Sequence, residues 1–497
     1  MIKRLYTLFL IFTLAFISAY AQPSNVKKAT KGIVKLTTFK ADGTLLATGY
    51  GAFTDAEGTA IVAWTPFVGA SKAVLIDGQG KKYDVESICG ASGIYNVAKI
   101  KAKIEGKSSI VPVMIEEGQQ DVGSEAWYVG YDVHKPSFTR FSTVKVETFM
   151  DNMPYYIFEQ TNGTIDEKNI GAPFFNAQGK LMGLVNTSRT RTDLYIASAR
   201  YALTLSPTAF SINDNVLRET NVRIALPNDY NQALLAMMIA SQRNDSINYP
   251  ATIEEFISLF PEEEDGYTNK ATYLTDKQDF AGADAQIAKA LEVSKQKDNT
   301  HFFYSKLIYN KEILLADVPY EPWNLDKAIE EIDAAIAIKS ESLYKVHKGK
   351  ILYAQNKYEE AQKVFLDVAE GGYKDGDIYY FAYQCNKNMG NDAEKQIVLL
   401  DSAIAINPNE MLYQAEKALV LMKNKKTDDA IEVCKNMVLK NPRYGEGHGL
   451  LGLALCLSGN KEMGVTELRR AKALGYQQAD AFIRKYGSES NKEQGTK

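Results

Sequence analysis

Imidazole is the side chain best suited to moving a proton near neutral pH, and the chain holds four: His134, His301, His347 and His448. They are scattered without ligand spacing, so no metal site is expected, and nothing in the chain calls for a cofactor. Only His134 lies in the first half, where Ser92, Ser124 and Thr164 supply hydroxyls that a base could activate for acyl transfer. Beside Lys135 and Pro136, however, His134 reads as a solvated loop residue. Four cysteines are too few for a disulfide framework; Cys89 stands alone, and Cys385, Cys434 and Cys456 fall in helical patterns as small apolar core residues. A second polar group, Lys348, Lys350, Tyr353, Asn356, Lys417, Lys423 and Asn424, lies on or near helices, where inward-facing cations and amides would hold a peptide carboxylate. Plain solvation of an exposed helix face is the competing reading.

The elements that carry these residues change character near residue 210. Short β-branched and aromatic runs cut by glycine turns fill roughly 30–205: Gly32–Phe39, Ala73–Ile76, Ala126–Val129, Tyr155–Phe158 and Leu181–Val185. That pattern is an all-β barrel or sandwich. Residues 206–263 read as a linker with Pro207, Asn213 and Pro227 together with helices at Tyr230–Gln242 and Ile253–Phe260 that form a cap or a degenerate first repeat. A helical period continues from 264 to 486, and the polar stretch 487–497 is expected to be disordered.

The helical half repeats. Asn407-Pro408 and Asn441-Pro442 stand 34 residues apart, and Ala430 and Gly464 keep the same interval. Small residues such as Gly349, Ala361, Ala418, Gly452 and Ala471 let paired helices approach closely, while Leu352, Phe365, Leu421, Leu455 and Leu468 fill the gaps. An insertion around Val318–Trp323 lengthens one hairpin turn, and the copy from Asp377 to Pro408 is irregular. The interval, the small positions and the terminal proline resemble the tetratricopeptide repeat family, about six units over 264–476. The tyrosine-rich group Tyr373, Tyr379, Tyr380, Phe381 and Tyr383 is expected to pack between repeats.

Four separated segments of the β half share an order. Gly49-Tyr-Gly51 leads through Gly58 to Thr65; Asn96-Val-Ala-Lys-Ile100 follows; Asp121 to Gly130 ends in a glycine turn; and Asn169-Ile-Gly171-Ala-Pro173 precedes a hairpin with Gly179 and Gly183. Together they resemble the Deg/Htr-type serine peptidases of trypsin-like fold, which implies an all-β double barrel. The resemblance places the catalytic histidine, aspartate and serine at Thr65, Asn96 and Ile170, and an oxyanion-pocket glycine at Lys168. Threonine is no general base near neutral pH, asparagine carries no charge, and isoleucine cannot attack a carbonyl. Loss of nucleophile and base together costs on the order of 10⁶ in turnover. No serine, threonine or cysteine lies between Asp166 and Asn176, and no histidine precedes Asn96, so a shifted alignment restores nothing. If Lys168 kept a glycine's positive φ, its backbone would be strained.

Lys3, Arg4, the apolar run Leu5–Ile17 and Ala19-Tyr20-Ala21 read as a secretory signal, residues 1–21, cleaved after Ala21. Export to the periplasm or cell envelope is therefore expected, with no integral membrane span in the remainder. A net charge of −4 over the whole chain gives no case for nucleic acid or an anionic membrane surface. The expectation is a multidomain chain, a trypsin-like double barrel plus an all-α tetratricopeptide solenoid. It acts as a non-enzymatic adaptor or scaffold for protein or extended peptide partners. A serine-type endopeptidase using displaced residues and a chaperone-like holdase are the alternatives.

Overall fold

The structure, a computed structural model, describes residues 23–131, 136–148, 153–160, 165–186, 192–243, 248–390 and 392–493. The expected signal, with Ala21, lies outside the described residues, as do His134 and Thr164. The chain divides into two compact units that part between Pro261 and Glu262.

The first unit contains two closed antiparallel barrels. The first uses β1 (Ile33–Phe39), β2 (Leu45–Phe53), β3 (Thr59–Ala63), β4 (Lys72–Asp77), β5 (Lys82–Ser92) and β6 (Val97–Ala102), in the order β1-β2-β3-β6-β5-β4. The second uses β7 (Glu125–Tyr131), β8 (Pro136–Thr148), β9 (Pro154–Glu159), β10 (Pro173–Asn176), β11 (Leu181–Val185) and β12 (Asp193–Ser198). Its order, β7-β8-β9-β12-β11-β10, repeats that of the first. Leu36 opposite Leu75 closes one barrel and Phe175 opposite Trp127 the other.

Alternation along the strands sets which side chains fill each barrel. Leu36, Phe53, Val62, Leu75 and Ile100 fill the first; Tyr156, Phe158, Phe174, Leu194 and Ile196 fill the second. A third cluster joins outward residues of both, Ile33, Ile61 and Val97 meeting Trp127, Phe175 and Leu184. Strand β3 is therefore buried on both faces, which explains its unbroken apolar run.

The stretch expected as a linker is instead docked on the first barrel. Its backbone bonds Gly69 N–H to Glu219 O (2.7 Å) and Ile88 N–H to Arg223 O (2.9 Å), and Leu217 and Val222 enter the barrel core. Apolar residues between turn formers had a surface to cover, and composition alone hid that. After α1 (Ser24–Ala29) and α2 (Tyr201–Thr204), the helices α3 (Tyr230–Gln242) and α4 (Asn248–Leu259) belong to this unit, where Glu255 of α4 pairs with Arg223.

Among its described residues the second unit is an all-α solenoid of helix pairs. The pairs are α5 (Glu264–Asp276) with α6 (Phe280–Val293), α7 (Lys297–Leu314) with α8 (Leu325–Ile338), and α9 (Ser342–Ala354) with α10 (Tyr358–Glu370). They continue as α11 (Gly376–Asn388) with α12 (Ala393–Ile406), α13 (Met411–Lys423) with α14 (Thr427–Lys440), and α15 (Gly445–Leu457) with α16 (Lys461–Ala473). A final helix, α17 (Ala479–Glu493), runs through Gly487, so the tail expected to be disordered is helical as far as Glu493. Extending an existing helix costs far less than starting one. The double-barrel-plus-solenoid architecture is thus the expected one.

Small residues sit where helices close up: a Cβ on Gly349 would lie 2.6 Å from the Phe365 ring, and one on Gly452 would lie 2.7 Å from Gly464 O. One residue in left-handed conformation closes five of the hairpin turns: Gln278 (φ 61°), Asn356 (62°), Gly390 (71°), Lys425 (61°) and Gly459 (94°). The copy expected to be irregular, α11 and α12, is a regular pair with Ala382, Leu399, Leu400 and Ala403 buried. Its tyrosine-rich composition obscured the pattern: Tyr383 is buried, Tyr380 stacks on Tyr413 at 5.2 Å, and Phe381 stacks on Phe365 at 5.3 Å. Among the described residues no helix is long and apolar enough to cross a membrane.

Candidate functional site

The three positions singled out in the β half converge where the two barrels meet. Strand β3 ends at Ala63 and a 3₁₀ turn begins at Thr65, held by Pro66. Asn96 sits just before β6 with φ 52°, a conformation that asparagine tolerates better than most residues. Its side-chain oxygen accepts two bonds from one residue: the Thr65 N–H and the Thr65 hydroxyl, both at 2.7 Å. The amide of Asn96 donates onward to Asn186 Oδ1 at 3.2 Å. Asn186 in turn donates to the Tyr155 hydroxyl (3.3 Å), and Tyr155 donates to Ile94 O (2.6 Å). Thr65, Ile94 and Asn96 come from the first barrel, Tyr155 and Asn186 from the second. The network is neutral throughout.

Ile170 follows a 3₁₀ turn, Glu167–Asn169, capped by Asp166. Its side chain is buried beside Gly49, whose other neighbour is Pro66: a Cβ on Gly49 would stand 3.7 Å from Ile170 Cγ2 and 3.0 Å from Pro66 Cγ. Ile170 O accepts from Tyr50 N at 3.0 Å, tying the loop to β2. Gly171 has φ 79°, and a Cβ there would collide with Tyr50 O and Ala63, so the turn admits glycine alone.

The expected strain at Lys168 is absent. Lys168 lies inside the 3₁₀ turn and is not among the positive-φ residues. Its N–H donates to Asp166 Oδ1 at 2.9 Å, and the Ile170 N–H donates to Glu167 O at 3.3 Å. An oxyanion pocket needs free N–H donors aimed at the developing charge. Here both are used within the loop.

Tyr128 accepts from Asn169 Nδ2 at 3.1 Å. Burial, aided by Tyr50 and Asp166, pushes its phenol up to about 12, so it stays protonated near neutrality. Of the hydroxyls weighed earlier, Ser92 accepts from Tyr95 N at 3.2 Å, and Ser124 is half-buried in the turn before β7. The described histidines are built into the solenoid. His301 Nδ1 meets Glu331 at 2.6 Å, and His448 is buried between Glu467 (2.6 Å) and Pro442 O (3.1 Å). His347 packs edge-on to Phe302 and Tyr309. No cluster of metal ligands occurs among the described residues.

The polar residues of the second unit do not form one site. Lys348 pairs with Asp333 at 2.6 Å and Lys417 with Asp401 at 2.5 Å, each bridging to the preceding helix. Lys350 lies 4.9 Å over the Phe381 ring. Asn356 takes the left-handed turn position and accepts from the Tyr358 hydroxyl at 2.5 Å. Asn424 donates back to Val420 O (2.8 Å), and the Tyr353 hydroxyl accepts from Asn388 at 2.8 Å. Turn chemistry and interhelix pairing account for all of these.

Sequence reasoning missed a set of tyrosine–carboxylate ties. Tyr344 donates to Asp298 (2.9 Å), Tyr383 to Glu416 (2.6 Å), and Tyr413 to Asp377, each joining successive first helices. Lys387 also reaches Glu416 at 2.9 Å. It also missed Asn186, which directly follows β11 and accepts from Asn96.

Comparison with known proteins gives a likeness of fold only. No known family profile matches the chain, and no curated protein does. Among solved structures, the HtrA-type protease AlgW with tripeptide is 15% identical, with a TM-score of 0.31 over 37% of this chain and 62% of that one. A variant of the same protease with tripeptide is 15% identical, TM-score 0.30, over 36% and 60%. The chain thus spans about three fifths of the solved chains it matches.

Proposed function

We propose that this chain is an exported, non-catalytic adaptor, a pseudo-peptidase double barrel joined to tetratricopeptide repeats that bind a protein or extended peptide partner in the cell envelope. The observation that carries this reading is the Thr65–Asn96 pair. The side chain that would orient a base in a peptidase is spent on a neutral hydroxyl and a backbone N–H. Ile170, with no proton or lone pair, and the occupied N–H groups of Lys168 and Ile170 agree with it. Repeats supply binding surface without chemistry, and the interval of the left-handed hairpin turns supports their tetratricopeptide character.

The test pairs two assays on the purified full-length protein. Casein and an unstructured peptide library are expected to remain intact, while immobilised protein retains a specific partner from envelope extract that competes away with soluble protein. Cleavage abolished by a single point substitution would sink the proposal.

A further inference from the structure

The outer face of the first barrel carries a recess of about 1170 Å³, and none of the residues that line it belongs to the Thr65–Asn96 network. Strands β1, β4 and β5 form it, with Phe39 and Val74 among its lining. Lys40, Lys72, Lys81, Lys82 and Lys103 also line it, and all five are exposed. Two carboxylates, Asp84 and Glu105, share the lining, so its lysines outnumber its carboxylates by three, or by one when the flanking Asp42 and Asp77 are counted, in a chain of net charge −4.

The existing partners of these lysines are weak. Lys72–Asp84 and Lys103–Glu105 each span 3.2 Å with both ends well exposed, a geometry that water and salt screen. Lys81 reaches only the Ser109 hydroxyl at 3.4 Å and lies 5.0 Å over the Tyr83 ring. Lys82 has no carboxylate within ion-pair reach among the described residues. Asp42 and Asp77 flank the recess but hold their own turns: Asp42 accepts from Thr44, and Asp77 from the N–H groups of Gln79 and Lys81. Clustered like charge raises the local potential and concentrates counter-ions. Ammonium groups bind phosphate as point charges, without the bidentate geometry that arginine demands.

We propose that this recess binds a phosphate-rich anion, presenting at least two phosphates together. The proposal does not depend on the adaptor reading. A soluble oligophosphate and a cluster of lipid headgroups share this chemistry.

Calorimetric titration of the full-length protein with sodium tripolyphosphate, at low and high salt, tests the first source; co-sedimentation with phosphatidylglycerol vesicles, against phosphatidylcholine vesicles, tests the second. In at least one arm, saturable binding is expected that weakens with salt. It should fall at least ten-fold in Lys82→Glu/Lys103→Glu and stay unchanged in Lys363→Glu/Lys435→Glu, which alters exposed lysines of the solenoid. Lys82→Gln/Lys103→Gln, with an unchanged melting curve, separates lost binding from lost fold. Tripolyphosphate binding alone identifies a soluble source, and vesicle binding a headgroup source. No binding in either arm, or binding equal in the Lys82/Lys103 variants, overturns the proposal.

Discussion

Asn96 Oδ1 receives both the backbone N–H and the hydroxyl of Thr65 at 2.7 Å, so one amide oxygen satisfies two donors of one neighbouring residue. The pair is a staple between the end of β3 and the start of β6.

The staple carries stability. Asn96→Ala removes both bonds from Thr65 and the bond to Asn186, and keeps a left-handed φ without asparagine's tolerance for it. A loss of about 2–3 kcal/mol is expected in urea unfolding. Thr65→Val, which removes one exposed-side bond, should cost about 1 kcal/mol or less. Equal effects of the two substitutions would contradict the hub role of Asn96.

A hydroxyl placed at Ile170 is not expected to create a nucleophile. Ile170→Ser is expected to give no hydrolysis of casein, because no imidazole stands at Thr65 and the loop N–H groups remain bonded internally. It should cost about 2 kcal/mol from lost apolar burial. Measurable turnover in this variant would show that another base reaches the site.

The hairpin turns of the solenoid make opposite predictions for two substitutions at equivalent places. Lys425→Gly removes a side chain from a left-handed backbone at φ 61° and should raise stability by about 1 kcal/mol. Gly459→Ala, at φ 94°, should lower it by a similar amount. Melting temperatures moving in the same direction would contradict the shared turn.

His347 confers a pH dependence. Burial, with Lys306 and Lys350 adding to it, lowers its pKa to about 4, while the unfolded chain titrates near 6.5. Between those values the unfolded state binds the proton and the folded state does not, so stability falls as pH drops from 6.5 towards 4. The full effect is about 3 kcal/mol. His347→Phe keeps aromatic packing against Phe302 and Tyr309 and should flatten that slope in denaturation at pH 7 and pH 4.5. An unchanged slope would place the titration elsewhere.

The two architectures were legible in the sequence for different reasons. Proline and small-residue spacing mark helix pairs because steric closeness at Gly349 and Gly452 restricts residue type. The barrel order was legible because Gly171 admits no side chain and Gly51 and Gly183 lie where strands crowd. The left-handed turns were not, since Gln278, Asn356 and Lys425 adopt φ above 60° without the glycine that usually marks it. Nor was the relaxed turn at Lys168, because an Asp166 cap can replace a glycine-dependent loop only once the fold is known. Asn186 and Tyr155 joined the Thr65–Asn96 network across barrels, a proximity that no local pattern carries. The docked stretch before Pro227 reads as linker because its turn residues outnumber the few apolar side chains that anchor it.

The most direct test of the central claim is intact-mass analysis of the full-length protein after incubation with a fluorophosphonate probe. An unshifted mass at saturating probe is expected, equal to that of the heat-unfolded control. Stoichiometric addition to one residue of the folded protein, lost on substitution of that residue, would contradict a non-catalytic barrel.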